Sequence, residues 1–463
     1  MLAYNPNNKE SIIRYAKKLK NKTLRQVCDV DLIKNDRKGK GHFGQILEEF
    51  YFHYKLNSDS EPDFPEANLE LKSSPIKRLK NQEFRSKERL VLNIINFVEL
   101  VNQEFETSSF WNKNACLLLV FYLYKADTDL LDYIIKFVSE WSFPDTDLEI
   151  IKKDWELIKK KIADGKAHEL SEGDTFYLGA CTKGASSRTK RKQPFSNIPA
   201  KQRAFSLKQT YVNHIIASIS EADNEKGIYG KLISNIEIAK KKSIEEVVLE
   251  RFAEYYGKTI DQIIEETGFS LNKKAKSFYA NLTKAILGIA LNKKIEEFEK
   301  ADIVLKSIRV ESNDKIIESV SFKKFSFVDI VQTSWEDSDF KDVLEHKFLF
   351  IFFKKVNGNR ILQKAQFWNM PNKDIKEARK VWLHTKRNIK NGTIVREIKP
   401  DGSRKTYFMS KADNPVSHVR PHARNAEDTY PLPKKDSLTK AKEYTKQCFW
   451  LNNDYVLNQI YLK

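Results

Sequence analysis

The sequence predicts a mixed α/β protein, a sheet flanked by helices, with that fold present twice in tandem. Three observations carry this expectation. Segments with apolar residues at helical spacing alternate with short apolar or alternating runs of strand type. One long, diverged repeat runs through the chain. Of 463 residues, 41% are hydrophobic and 12% aromatic, enough for more than one buried core, and this length corresponds to two or three domains of roughly 100–200 residues.

Taken in order, Ser11 to Lys20 places apolar residues on one helical face, and Thr23 to Val27 opens a second short helix. Gly44 to Tyr54 reads as an amphipathic helix. Asn68-Leu69-Glu70-Leu71-Lys72 alternates as a half-buried strand does. Leu90 to Phe97 and Cys116 to Tyr124 read as further strands, Asp154 to Ala163 and Tyr211 to Ser220 as helices. Glu221 to Gly230 is polar with two glycines and suits a linker.

Lys plus Arg outnumber Asp plus Glu by 81 to 63, a net charge of +18. Such a surplus favours a polyanionic partner and makes its binding salt-dependent. The same composition excludes a wholly disordered chain, and the sparse Gly and Pro exclude a collagen-like one. A membrane-spanning helix needs about 20 apolar residues, whereas Ala115 to Tyr124 and Phe348 to Phe353 are short and read as buried strands. The N-terminus lacks the basic and apolar regions of a signal peptide. Four scattered cysteines without a Cys-x-x-Cys pair argue against a zinc ribbon and fit a reducing, cytoplasmic location.

The repeat is collinear at three places. Lys22 to Val27 pairs with Lys258 to Ile263, Phe64 to Ser73 with Phe298 to Ser307, and Phe205 to Val212 with Phe449 to Val456. Two domains of one fold are expected, at 1–220 and 246–463, joined by a linker at 221–245. The copies are unequal. Glu70 becomes Val304, Asp63 becomes Glu297, and Lys72 stays lysine as Lys306.

Asp63-x6-Glu70-x-Lys72 is the candidate site. Glu70 and Lys72 lie two apart on a strand and share a face, leaving Leu69 and Leu71 for the core. Two carboxylates supply hard oxygen ligands for Mg²⁺, which polarises a phosphodiester and lowers the pKa of a bound water. An adjacent lysine orients that water or neutralises developing charge. The spacing alone is weakly specific, since acid-x-Lys recurs at Asp36-Arg37-Lys38, Asp374-Ile375-Lys376 and Glu397-Ile398-Lys399.

The wider context is Lys40-Gly41-His42-Phe43-Gly44-Gln45-Ile46-Leu47-Glu48-Glu49, then Asp63-x6-Glu70-Leu71-Lys72, then Glu106 to Lys113 before an apolar strand. This resembles the MutH family of the PD-(D/E)xK nucleases, which holds the mismatch-repair nickase and the MutH-like type II restriction endonucleases that cut GATC. The resemblance covers most of residues 20–215, with a weaker second copy at about 250–463. It implies a restriction-endonuclease-like (MutH-like) fold, duplicated as in the large GATC-cutting enzymes, whose C-terminal copy lacks the catalytic acids and binds a second DNA site as an effector. It implies that Asp63 and Glu70 are metal ligands, Lys72 positions the attacking water, Glu48 sits behind the site on its helix, and Lys113 is a second active-site lysine. Lys40 and Gly41 match a turn that contacts the DNA backbone. Pro62 before Asp63 departs from the pattern, tolerably at a strand edge.

The family reads DNA from a later portion of each domain, here Tyr177 to Ala185 and the basic run Ser186 to Lys192, with Arg188, Lys190 and Arg191. Such runs contact phosphates and sometimes bases. The family's Arg-Pro pair is replaced in the first copy by Cys181-Thr182, leaving Lys183 as the expected base reader, and is present in the second copy as Arg420-Pro421. Lys208 lies where the family probes the adenine neighbourhood and backbone. His418 and His422 are expected to be surface or DNA-facing groups rather than metal ligands. The resemblance thus implies a Mg²⁺-dependent type II restriction endonuclease that breaks both strands of duplex DNA at GATC and is matched by a methyltransferase of the same system. One catalytic domain per chain means that cutting both strands needs two chains, dimerised on DNA, or two sequential nicks. The alternatives are a mismatch-repair-type nickase and a catalytically dead DNA-binding regulator.

Overall fold

A computed structural model describes residues 2–29, 42–54, 61–183, 189–220 and 227–463. The described residues form two compact units. The first comprises Met1–Val247 with Asn292–Asp302, the second Val248–Leu291 with Ile303–Lys463. Of the expected linker, 221–226 lie outside the described residues. Residues 227–245 hold a strand at Tyr229–Gly230 and a helix at Ile236–Lys241, and they belong to the first unit.

The first unit opens with α1 (Lys9–Lys17), capped by the Asn8 side chain, and α2 (Leu24–Val27), closed by a capping box between Thr23 and Gln26. The expected helix over 44–54 is α-helical only at α3 (His42–Ile46) and continues as a π turn over Leu47–Tyr51. A π turn adds one residue to the ring closed by each hydrogen bond, shifts the helical face, and is frequent at functional sites. Strand β1 (Glu70–Arg78) follows, then β2 (Phe84–Ser86) and β3 (Leu90–Ile94). Strand β3 ends short of the expected Phe97, which instead starts a short helix capped by Asn96.

Helix α4 (Ser109–Asn114) leads into β4 (Leu117–Leu123), and β5 (Ile134–Trp141) runs back beside it. Helix α5 (Asp145–Ala163) begins nine residues before the expected Asp154, behind Pro144 and with Asp145 and Asp147 in its first turn. Strand β6 (Leu178–Thr182), the ribbon β7 (Lys190–Gln193) and β8 (Ser196–Lys201), β9 (Arg203–Leu207) and α6 (Gln209–Ile219) complete the unit's main elements.

The two larger sheets among the described residues of this unit are ordered β2-β1-β4-β5 and β3-β9-β6. The pair β1/β4 is parallel, with Glu70 opposite Leu117, and β4/β5 is antiparallel. Leu69 and Leu71 do point into the core, with Phe43, Ile46, Leu118, Val120 and Ile135. The strand is not half-buried, however: Glu70 on its other face is only 1% exposed.

In the second unit, α7 (Ile260–Thr267) opens with a capping box at Thr259 and Gln262, and α8 (Phe278–Ile286) follows. Strands β10 (Val304–Val310), β12 (Lys347–Val356) and β13 (Asn359–Asn369) form one sheet in that order, and β11 (Val320–Lys324), β15 (Gln447–Leu451) and β14 (Ser417–Pro421) form another. The 20-residue α9 (Asn372–Asn391) packs on this core through Val381, Trp382 and Ile389. Registers repeat those of the first unit. Val304 stands opposite Phe348 in a parallel pair, and Leu451 faces Val320 and Ser417 as Leu207 faces Leu90 and Leu178. By that register Cys181-Thr182 occupies the place of Arg420-Pro421, as the sequence predicts.

Candidate active site

The start of β1 gathers the candidate residues. Ahead of it, Asn68 adopts a left-handed conformation (φ 46°) that reverses the chain after Pro65–Ala67 and brings Asp63 back to the strand. The Asp63 amide donates to Glu70 Oε2 at 3.0 Å, and the Leu71 amide donates to Asp63 Oδ2 at 3.0 Å. The two carboxylates are therefore cross-braced through backbone amides. Lys72 donates to Glu70 Oε1. Lys113, at the end of α4, lies 3.8 Å from the same oxygen and donates to the Glu61 carbonyl at 3.0 Å.

Glu48, on the π turn, reaches the same charge cluster. Its carboxyl is pushed up to about 7, chiefly by burial and then by Asp63, with Glu70 adding a little and Lys72 and Lys113 opposing. The helix carrying it approaches β1 closely at Gly44, where a Cβ would come within 3.1 Å of Ser73 Oγ. Glu70 is likewise pushed up to about 7, chiefly by burial, with Lys72 the largest opposing influence. Three carboxyls, Glu48, Asp63 and Glu70, stand against two lysines, so the pocket is short of positive charge, and desolvation holds two of the carboxyls above their ordinary range.

That charge balance fits a divalent cation. Among the described residues no group of three or more His, Cys, Asp or Glu is arranged to cage an ion. Mg²⁺ needs no such cage: it is commonly held by one or two carboxylates, with waters and substrate phosphates completing its shell. Asp63 and Glu70 are the carboxylates at this site that could hold it.

Sequence reasoning missed Tyr54. Its hydroxyl is buried and faces Asp63 without closing a well-aligned hydrogen bond, within electrostatic reach of Glu48 and Glu70, and its ring packs edge-on against Phe64 at 5.4 Å. It ends the same amphipathic segment as Glu48. A tyrosine there reads as one more apolar helix residue, and only the turn that follows the π segment, where the Tyr54 amide donates to the Glu48 carbonyl at 3.1 Å, turns it to the acids.

The expected DNA-contacting residues fall into several places. Lys40, Gly41 and Arg188 lie outside the described residues. Lys183, Lys190 and Arg191 are exposed, the first just past β6 and the others on β7. Lys183 and Arg191 meet at Gln202: the Lys183 amide donates to its carbonyl at 2.9 Å and Arg191 Nε to its Oε1 at 3.0 Å, while Lys190 stands opposite Lys201. Lys208 is engaged within the unit, donating to the Thr175 and Ala301 carbonyls at 2.8 and 3.2 Å. Arg420 and Pro421 are exposed at the end of β14.

A mixed sheet whose first strand turns Asp-x6-Glu-x-Lys toward a lysine- and glutamate-lined pocket defines a MutH-like nuclease. The family model for the DNA mismatch repair enzyme MutH matches residues 52–154. Across 489 aligned positions, 98% of each chain, the protein is 38% identical to the type II restriction enzyme Sau3AI of Staphylococcus aureus. It is 25% identical over 221 positions, 46% of this chain and 92% of the relative, to the DNA mismatch repair protein MutH of Pectobacterium atrosepticum. The chain belongs to the MutH-like type II restriction endonucleases. No helix among the described residues is long and apolar enough to cross a membrane.

Proposed function

We propose that this restriction endonuclease makes Mg²⁺-dependent double-strand breaks in duplex DNA at GATC, with residues 1–220 as catalytic domain and 246–463 as a DNA-binding effector domain. The observation that carries the reading is the convergence of Asp63, Glu70, Lys72, Lys113 and Glu48 on one buried pocket.

Asp63 and Glu70 would hold the metal. When bound, it supplies Lewis acidity at the phosphodiester and a water of lowered pKa. Lys72 orients the attacking water, which adds to phosphorus as the P–O3′ bond breaks, leaving a 5′-phosphate and a 3′-hydroxyl. Lys113 offsets charge building on the phosphate oxygens. Glu48 behind the pair accepts or returns a proton, as a carboxyl poised near neutrality can. Lys183, Lys190 and Arg191 supply phosphate and base contacts for the first domain, Arg420 and Pro421 for the second. With one catalytic centre per chain, cutting both strands takes two chains on DNA or two successive nicks. A methyltransferase protecting the same site completes the system, which we place in the cytoplasm.

Digestion of an unmethylated plasmid with Mg²⁺ and with EDTA, followed by sequencing of the ends, tests this. Mg²⁺-dependent linear fragments ending at GATC are expected. Fragments ending elsewhere overturn the specificity and keep the nuclease, and an open circle as end product favours a nickase.

A further inference from the structure

Glu48 and Tyr54 bound one turn of chain, and that turn is built differently in the two units. In the first, α3 and its π turn run out at His53, which holds a left-handed conformation (φ 57°). Glycine adopts that conformation freely, whereas histidine does so under strain. The next amide, that of Tyr54, reaches back six residues to the Glu48 carbonyl at 3.1 Å. In the second unit α8 precedes the parallel pair β10/β12 as α3 precedes β1/β4. It is α-helical throughout and runs out at Gly288 (φ 68°). The Ile289 amide reaches back five residues, to the Lys284 carbonyl at 2.8 Å. Ile289, only 4% exposed, therefore stands where Tyr54 stands.

The unit whose strand carries Val304 fills this position with a buried apolar side chain. The unit whose strand carries Glu70 fills it with a tyrosine, so the hydroxyl is the added group. Its ring is held edge-on by Phe64 at 5.4 Å. The hydroxyl itself is buried without a well-aligned partner among the described residues, within electrostatic reach of Asp63, Glu48 and Glu70. A buried hydroxyl left unpaired costs stability, so packing does not account for it.

The two lysines of the pocket both approach Glu70: Lys72 pairs with it, and Lys113 lies 3.8 Å from the same oxygen. Asp63 has its Oδ2 on the Leu71 amide at 3.0 Å. A further lysine on Asp63 would repel a divalent cation. A phenol, ordinarily uncharged near neutral pH, donates a hydrogen bond to a carboxylate without adding charge, and carboxylates that ligate a metal are commonly braced by such outer donors. We propose that Tyr54 is a positioning residue of the catalytic centre, its hydroxyl donating to the Asp63 carboxylate and fixing the orientation in which Asp63 takes a divalent cation. This rests on the reading of Asp63 and Glu70 as metal ligands and adds the residue that orients one of them.

The test is a Mn²⁺ titration of the full-length chain, read as loss of the free ion's electron paramagnetic resonance signal, beside Asp63→Asn and Tyr54→Phe. The unaltered chain is expected to bind Mn²⁺ at a site that Asp63→Asn abolishes and Tyr54→Phe weakens about tenfold. In EDTA, Tyr54→Phe is expected to melt at the unaltered chain's temperature or above it, since the deleted hydroxyl is unpaired there. In plasmid cleavage the Mg²⁺ concentration giving half the maximal rate should rise by a similar factor, with most of the rate recovered at saturating Mg²⁺. Undiminished Mn²⁺ affinity in Tyr54→Phe overturns the proposal and leaves the metal reading standing. Mn²⁺ binding that Asp63→Asn leaves intact overturns both. Weaker binding together with a lower melting temperature in EDTA makes Tyr54 a residue of the fold and overturns its positioning role.

Discussion

At the scale of single residues, the acids of the pocket are held in place by the backbone before any ligand arrives. Glu70 Oε2 takes the Asp63 amide and Asp63 Oδ2 takes the Leu71 amide, so removing either carboxylate disturbs the placement of the other. Asp63→Ala or Glu70→Ala is expected to lower cleavage by at least about a thousandfold, the loss of several kcal/mol of transition-state stabilisation, while duplex binding is largely kept. Plasmid cleavage alongside a mobility-shift assay checks this; normal cutting by either variant would falsify the site. The shifted carboxyls give a second expectation. Glu48 and Glu70 rise from the ordinary 4.5 to about 7, so the folded chain holds their protons more tightly than the unfolded one. Their contribution to stability is full below about 4.5 and is lost as pH climbs to about 7. In EDTA, stability should therefore fall across that window by on the order of 1–3 kcal/mol, and Glu48→Gln should flatten the slope. Melting curves at stepped pH decide it: an unchanged slope in the variant places the Glu48 carboxyl outside the cluster.

At the scale of elements, buried acids fix how strands and helices meet. Asp154, 2% exposed on α5, accepts the amides of Phe176, Tyr177 and Leu178 at 2.8, 2.6 and 2.9 Å and so sets where β6 begins. Asp147 in the first turn of α5 accepts from Lys300 at 2.9 Å and from the Tyr211 hydroxyl at 2.9 Å. Lys300→Met leaves Asp147 as a buried charge without its cation and is expected to cost about 3–5 kcal/mol, read as a lowered denaturant midpoint at unchanged m-value; a loss below ~1 kcal/mol would show the pair to be energetically idle. These contacts mark what the sequence left illegible. Glu70 and Lys72 were legible because a two-residue strand period fixes which side chains share a face; Asp63, ahead of the strand, was legible through the family resemblance. The π turn was not, because the same apolar spacing serves an α-helix, and with it went Tyr54. Lys208 was expected at the DNA, but its ammonium is held in part by Ala301, more than 90 residues along the chain. Likewise the repeat assigns Asn292–Asp302 to the second copy by sequence, whereas Glu297 and Lys300 bind Leu232, Ile233 and Asp147 within the first unit. No local pattern encodes such a distant partner.

For the molecule as a whole, the two units repeat one sheet register with unequal acids. The first unit keeps Asp63 and Glu70; the second has Val304 at the latter's place yet keeps exposed Arg420 and the same sheet register. The net charge of +18 is more cation than a single scissile phosphate requires. If the second domain binds DNA as an effector, cleavage answers to the number of GATC sites rather than to their concentration alone. A plasmid with two sites is then expected to be cut several-fold faster than one with a single site, and an uncleavable GATC duplex added in trans should restore the one-site rate. Arg420→Ala should erase the difference while leaving the slow one-site rate unchanged, because that residue lies outside the catalytic pocket. Counterion release makes the stimulation fall steeply between about 50 and 200 mM salt, which separates it from a change in the chemical step. Equal rates on both plasmids at low salt would remove the effector role and leave the second domain as an anchor that raises affinity without raising turnover.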